Sequence, residues 1–301
     1  MIAFGHFRLT TNLLTFNSIT KHICKIVRLI GGQTTSKILH ENQEYGNAIF
    51  LLQQGVEKLT KSYGLITKAI QPDGVKKISH NPKRVFEKQM EIQLEKFDNA
   101  ASIEKIFPDL FKFQINDQEI DLTGYNEKFR EASHSMTKLN PEDFLWISSE
   151  ALDTIKSQIN EIDTGIKINF EDFRKDFPEL FMSIINQIES KTGSELIELK
   201  EFINNEIFPT TMEGILKEFI PMSLKIMKIH LSLFFFSLIT SGHNQLSRYP
   251  CLCCGEIPKN NYTKEDVIVD RYDEIHEIMM MTVGLFDEIF IKKGASTQQS
   301  S

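Results

Sequence analysis

The stretch that decides the fold is "NAIFLLQQGVEKLTKSYGLI", Asn47 to Ile66. Ile49, Leu52, Val56, Leu59, Tyr63 and Ile66 recur at spacings of 3, 4, 3, 4 and 3. Only a helix places such a series on one face. Gln53, Glu57 and Lys61 fall on a second face, spaced for i,i+4 contacts. The pattern predicts a helix over about residues 41–70 with one apolar seam. "QPDG", Gln71 to Gly74, then reverses the chain: proline sets φ, and Asp-Gly tolerates the turn.

The rest of the chain extends this helical reading. A shorter helix is expected over about Pro82–Phe97, and an apolar one over about Pro221–His243. A last helix should run from about Lys264 to Lys293, with Thr263 or Asn261 as cap and a seam of Ile275, Met279, Phe286 and Ile289. Between these blocks, residues of about 100–215 are rich in Glu, Asp, Ile and Phe. This stretch holds two near-copies, "FPDLF" (Phe107–Phe111) and "FPELF" (Phe177–Phe181), each read as a proline at a first helical turn. The fold class expected is all-α: an up-and-down helical bundle with a helical insert. Its parts are an N-terminal extension (1–40), a first bundle half (41–99), the insert (100–215), a second half (216–293) and a disordered tail (294–301).

Composition narrows the function classes. The 301 residues carry a formal net charge of −7, unevenly spread. The first 40 residues contain Arg8, Lys21, Lys25, Arg28 and Lys37 and no acid, which leaves 29 basic against 41 acidic groups in the remainder. An acidic body does not wrap long nucleic acid, though it can carry a small basic site. Gly and Pro, at 15 and 9, are too few for a turn-rich β fold. Of the four cysteines, Cys251, Cys253 and Cys254 are crowded together and Cys24 stands apart, which fits a reducing, cytoplasmic setting. Cys251-x-x-Cys254 has the spacing of half a zinc knuckle, but the second pair is missing, so no metal and no cofactor is expected. "IHLSLFFFSLIT", Ile229 to Thr240, is a dozen residues where a membrane span needs about 20, and reads as a buried helix.

Four stretches carry a family resemblance. The first helix, with Ala48, Gln54, Glu57 and Lys58, resembles the first helix of HEPN domains, the four-helix domains of prokaryotic toxin–antitoxin and defence systems. "ISHNPKR", Ile78 to Arg84, is similar to that family's second-helix entry, where a histidine follows the turn. "LSRYP", Leu246 to Pro250, resembles the Arg-Tyr-Pro at the end of its third helix, and the final helix resembles the fourth.

The resemblance implies a homodimer, association with RNA or a nucleotide, and a nucleotidyltransferase-like antitoxin as partner. Active members are metal-independent endoribonucleases in which an Arg is followed, after four to six residues, by a His. Arginine holds the scissile phosphate with a fork of donors, and histidine moves the proton. By position Arg248 is the motif Arg, with Tyr249 where a polar residue is usual. The His would then fall on Cys253, Cys254 or Gly255, so the motif is broken there.

"RYDEIH" offers a second pair, Arg271 and His276. Five residues apart in one helix, the two lie about 140° apart, so joint catalysis needs a helix break between them. The candidate catalytic residues are therefore Arg248, Arg271 and His276, and the candidate ligand-binding residues Arg248, Tyr249, His243 and His80. The broken motif favours a non-catalytic or weakly active module over a ribonuclease.

Overall fold

The computed structural model describes residues 32–78, 81–106, 112–115, 118–162, 170–205, 207–243 and 262–292. The fold is all-α, apart from one two-stranded hairpin among the described residues. The described part of helix α1 is residues 32–41. It ends in a Schellman arrangement: Gln43 N–H donates to His40 O and Glu44 N–H to Leu39 O, with Gln43 at a positive φ of 64°.

Then come α2 (Tyr45–Ile66), α3 (Val75–Ile78) and α4 (Lys83–Ile106). Strands β1 (Lys112–Ile115) and β2 (Gln118–Asp121) pair antiparallel, Phe113 opposite Ile120. They are followed by α5 (Leu122–Lys138), α6 (Ser149–Glu161), α7 (Phe170–Thr192), α8 (Ile197–Asn204) and α9 (Ile207–Ser241). The last elements are α10 (Val267–Asp270), α11 (Tyr272–Phe286) and a π-type turn, Asp287–Lys292.

The chain divides into two compact units. The larger comprises, among the described residues, 32–78, 81–92, 135–162, 225–243 and 262–292, and holds the α2 seam. Ile49, Leu52, Val56 and Leu59 are fully buried, Tyr63 nearly so, and Ile66 packs at the edge. Each such side chain contributes about 1.5–3 kcal/mol by leaving water. Val85 and Phe86 of α4, Phe236 and Ile239 of α9, and Ile275, Met279 and Phe286 of α11 join the same core. On the second face of α2, Gln53 donates to Glu57 (3.2 Å) and Lys61 pairs with Glu57 (2.7 Å), so the i,i+4 series forms as its spacing predicts.

The smaller unit comprises, among the described residues, 93–106, 112–115, 118–134, 170–205 and 207–224. Its core among the described residues is Ile185, Ile203, Phe208 and Leu216, with the Phe208 ring between those of Phe181 (5.4 Å) and Phe202 (5.3 Å).

Three features differ from the sequence expectations. First, the stretch 100–215 is not one body, because residues 135–162 belong to the larger unit. Asn140 caps the turn Pro141–Phe144 and Ser148 caps α6, whose Leu152, Ile155 and Ile159 recur at helical spacing and are buried in the main core. Second, Pro178 lies inside α7 and not in its first turn, and α9 begins at Ile207, well before Pro221. Flanking helix absorbs the lost amide donor at each proline. Third, residues 32–40 are helical and packed, not an extension of mixed character. "FPDLF", the tail 294–301 and residues 1–31 lie outside the described residues.

The 35-residue α9 is long and apolar enough to cross a membrane by length and composition, although half of its most apolar window is buried in the protein.

Candidate functional site

Two clusters of polar and aromatic side chains gather in the larger unit. The first lies at the junction of α10 and α11. Arg271 separates the two helices, with φ −96° and ψ 19°. The helix break that the Arg271–His276 pair would need is therefore present, at the arginine itself.

The guanidinium, however, is already held. Its Nη2 donates to Asp153 of α6 (2.6 Å) and to Glu274 (2.8 Å), and its Nε also donates to Glu274. Lys156 of α6 reaches the same Glu274 carboxylate at 2.6 Å. The bonds from Arg271 and then Lys156 hold the Glu274 carboxyl down at about 2, and the two carboxylates push the Arg271 pKa upward. Arg271 is thus a clamp between α6 and α11, with its donors turned to protein carboxylates rather than to a phosphate.

His276 points to α1. Its Nε2 lies 3.2 Å from Gln33 O, and a carbonyl only accepts, so that nitrogen carries the proton. His40 of α1 makes the reciprocal contact: its Nε2 donates to Val269 O of α10 at 2.8 Å. Tyr272 stands between the two imidazoles, stacked on His40 (centroids 4.3 Å apart, 11° between planes) and more loosely on His276 (5.9 Å). Ser36 donates to Ala48 O at 2.8 Å, so the short contact between Ser36 and Tyr272 must use the tyrosine proton. Burial pushes the Tyr272 phenol up to about 12 against that bond. Arg271 and His276 thus flank one turn of helix yet face different partners, as their angular separation predicts.

The second cluster joins His243 and Tyr262. His243 is fully buried. Its Nδ1 lies 2.9 Å from the Tyr262 hydroxyl, and the edge of its ring meets Trp146 with centroids 6.0 Å apart. Desolvation drives the His243 pKa down to about 4, while a hydrogen bond to the Leu145 backbone works the other way. The imidazole is therefore neutral at pH 7. Gly242 makes the close approach possible: a Cβ there would meet Leu145 Cδ1 at 2.9 Å. His243, a ligand-binding candidate by sequence, is placed as an internal tie to Tyr262.

Arg248, Tyr249, His80 and the cysteines Cys251, Cys253 and Cys254 lie outside the described residues. Among the described residues no three His, Cys, Asp or Glu side chains stand together as a metal site.

The sequence reading missed His40, Ser36, Tyr272 and Trp146, whose contacts join elements far apart in the chain and follow no local spacing. It also missed His230 of α9, 3.3 Å from the Tyr63 hydroxyl and edge-on to Phe86 at 5.1 Å. Burial drives that imidazole down to about 4. A lone histidine inside "KIHLSLFFF" was the available signal. No family model, curated protein or solved structure matches the chain.

Proposed function

We propose that this chain is a HEPN-like helical module that associates with RNA or a nucleotide and cuts RNA weakly or not at all. The observation that carries the second half of this reading is the Arg271 clamp. The only Arg-x4-His pair with the right spacing has its guanidinium bound by Asp153 and Glu274 and its imidazole bound to Gln33 O. The first half is supported by the order of contributions to the main core. Helices α2, α4, α9 and α11, in that sequence, all place buried side chains in it.

On this reading the chain works in the cytoplasm as a homodimer of a toxin–antitoxin or defence system, beside a nucleotidyltransferase-like partner. Arg248 serves ligand binding more than turnover.

The test is purified protein with a mixed RNA pool and no added metal, next to Arg248→Ala and His276→Ala. The expected result is little or no cleavage by any of the three, with weaker RNA retention by Arg248→Ala. Strong cleavage lost in His276→Ala would instead establish a metal-independent ribonuclease acting through "RYDEIH", for which the helix break at Arg271 supplies the geometry. Light scattering at micromolar concentration should give the dimer mass, and a monomer alone would count against the family reading.

A further inference from the structure

Helix α1 meets the α10–α11 junction through polar contacts from both its backbone and its side chains. Gln33 O receives His276 Nε2, Ser36 Oγ receives the Tyr272 hydroxyl, and His40 lies flat on the Tyr272 ring while bonding Val269 O. The described part of α1 covers residues 32–41. It is joined to α2 through Gln43, a non-glycine residue in the left-handed region.

The seat of α1 is also imperfect. The Gln33 side chain is 1% exposed, yet neither its Nε2 nor its Oε1 has a hydrogen-bond partner. The amide lies in a hollow that exists because residue 55 is glycine: a Cβ at Gly55 would stand 1.8 Å from Gln33 Nε2. A desolvated amide without partners opposes docking. The bonds from Ser36, His40 and His276 hold α1 down against it.

We infer that α1 is a displaceable strap that covers the buried Tyr272 hydroxyl, so that this group becomes available only when α1 lifts. The inference concerns access to this cluster and stands whether or not the chain cuts RNA.

The experiment is hydrogen exchange by mass spectrometry on the full chain, with nitration of Tyr272 by tetranitromethane read on its own peptide. The α1 amides should exchange about 100-fold faster than those of α2, as for a locally opening element. Gln33→Met removes the orphaned amide at similar length and should slow α1 exchange and Tyr272 nitration together, about tenfold. Ser36→Ala combined with His40→Ala should speed both by about tenfold and leave α2 unchanged. Equal exchange of α1 and α2 in the wild type would overturn the inference, since α1 would then open only with the whole core. So would Tyr272 nitration that ignores α1 exchange. Should the double variant fail to fold, the wild type and Gln33→Met still decide the matter.

Discussion

The Arg271 junction and the His243 tie are built from similar residues and have opposite physics. Each joins a histidine and a tyrosine across elements distant in the chain. At the tie the imidazole is fully buried, and desolvation makes it a neutral linker with a pKa of about 4. At the junction the ionic groups stay partly exposed and charged, because Arg271, Lys156, Asp153 and Glu274 compensate one another. Residue type therefore does not assign a role here. Solvent access and the neighbouring charge do.

Both clusters lean on one segment. Residues 135–162 supply Asp153 and Lys156 to the junction, and Leu145 and Trp146 to the tie. Excision of residues 100–215 should therefore break both at once. It also removes Leu152, Ile155 and Ile159 from the core, a loss of about 5–9 kcal/mol against a typical total stability of about 5–15 kcal/mol. The expected outcome is loss of soluble, cooperatively folding protein, checked by circular dichroism and thermal melting. A soluble remnant with a sharp transition would show that the segment is dispensable.

Acid titration separates the two clusters. His243 has a folded pKa below its ordinary value of 6.5, so the unfolded chain takes up a proton first as pH falls. Stability should fall from about pH 6.5 down to about pH 4 and then level off for this group, a change on the order of 3 kcal/mol. His230 shares that window, since burial lowers it in the same direction. His243→Phe should flatten part of this slope in urea unfolding series and leave the His230 part. An unchanged slope would mean that the imidazole is not desolvated.

The smallest effect belongs to the junction. Glu274 has a depressed carboxyl pKa, so its contribution is present above about pH 4.5 and is lost as pH falls towards about 2. Arg271→Ala should shift the melting midpoint modestly at neutral pH and blunt the acid loss below pH 4.5. It should leave the slope of stability against pH above pH 4.5 unchanged. A change confined to that upper window would show that the two clusters are coupled.

The helices with seams were legible before any coordinates. The period of Ile49 to Tyr63 and of Ile275 to Ile289 reports a face, and the face is buried in each case. The Gln53–Glu57–Lys61 contacts followed from spacing alone, because i,i+4 neighbours touch in any helix. The "RYDEIH" pair was legible as a spacing but not as an arrangement. Nothing local says that Asp153, 118 residues away, takes the guanidinium, or that Gln33 O takes the imidazole.

The sequence by itself determined the helices that carry a seam and the turn after the first of them, consequences of the 3.6-residue period and of proline and glycine geometry. Tertiary structure alone decided which segment joins which core, and which groups are charged. The α6 segment reads as part of a polar, acidic insert, yet Leu152, Ile155 and Ile159 bury their one apolar face against the main core. His243 reads as a polar residue near a helix end, yet packing against Tyr262, Trp146 and Leu145 removes its water and with it its charge. Burial is set by contacts between residues far apart in sequence, and a pKa is set by burial. Neither quantity is encoded in the local pattern that fixes a helix.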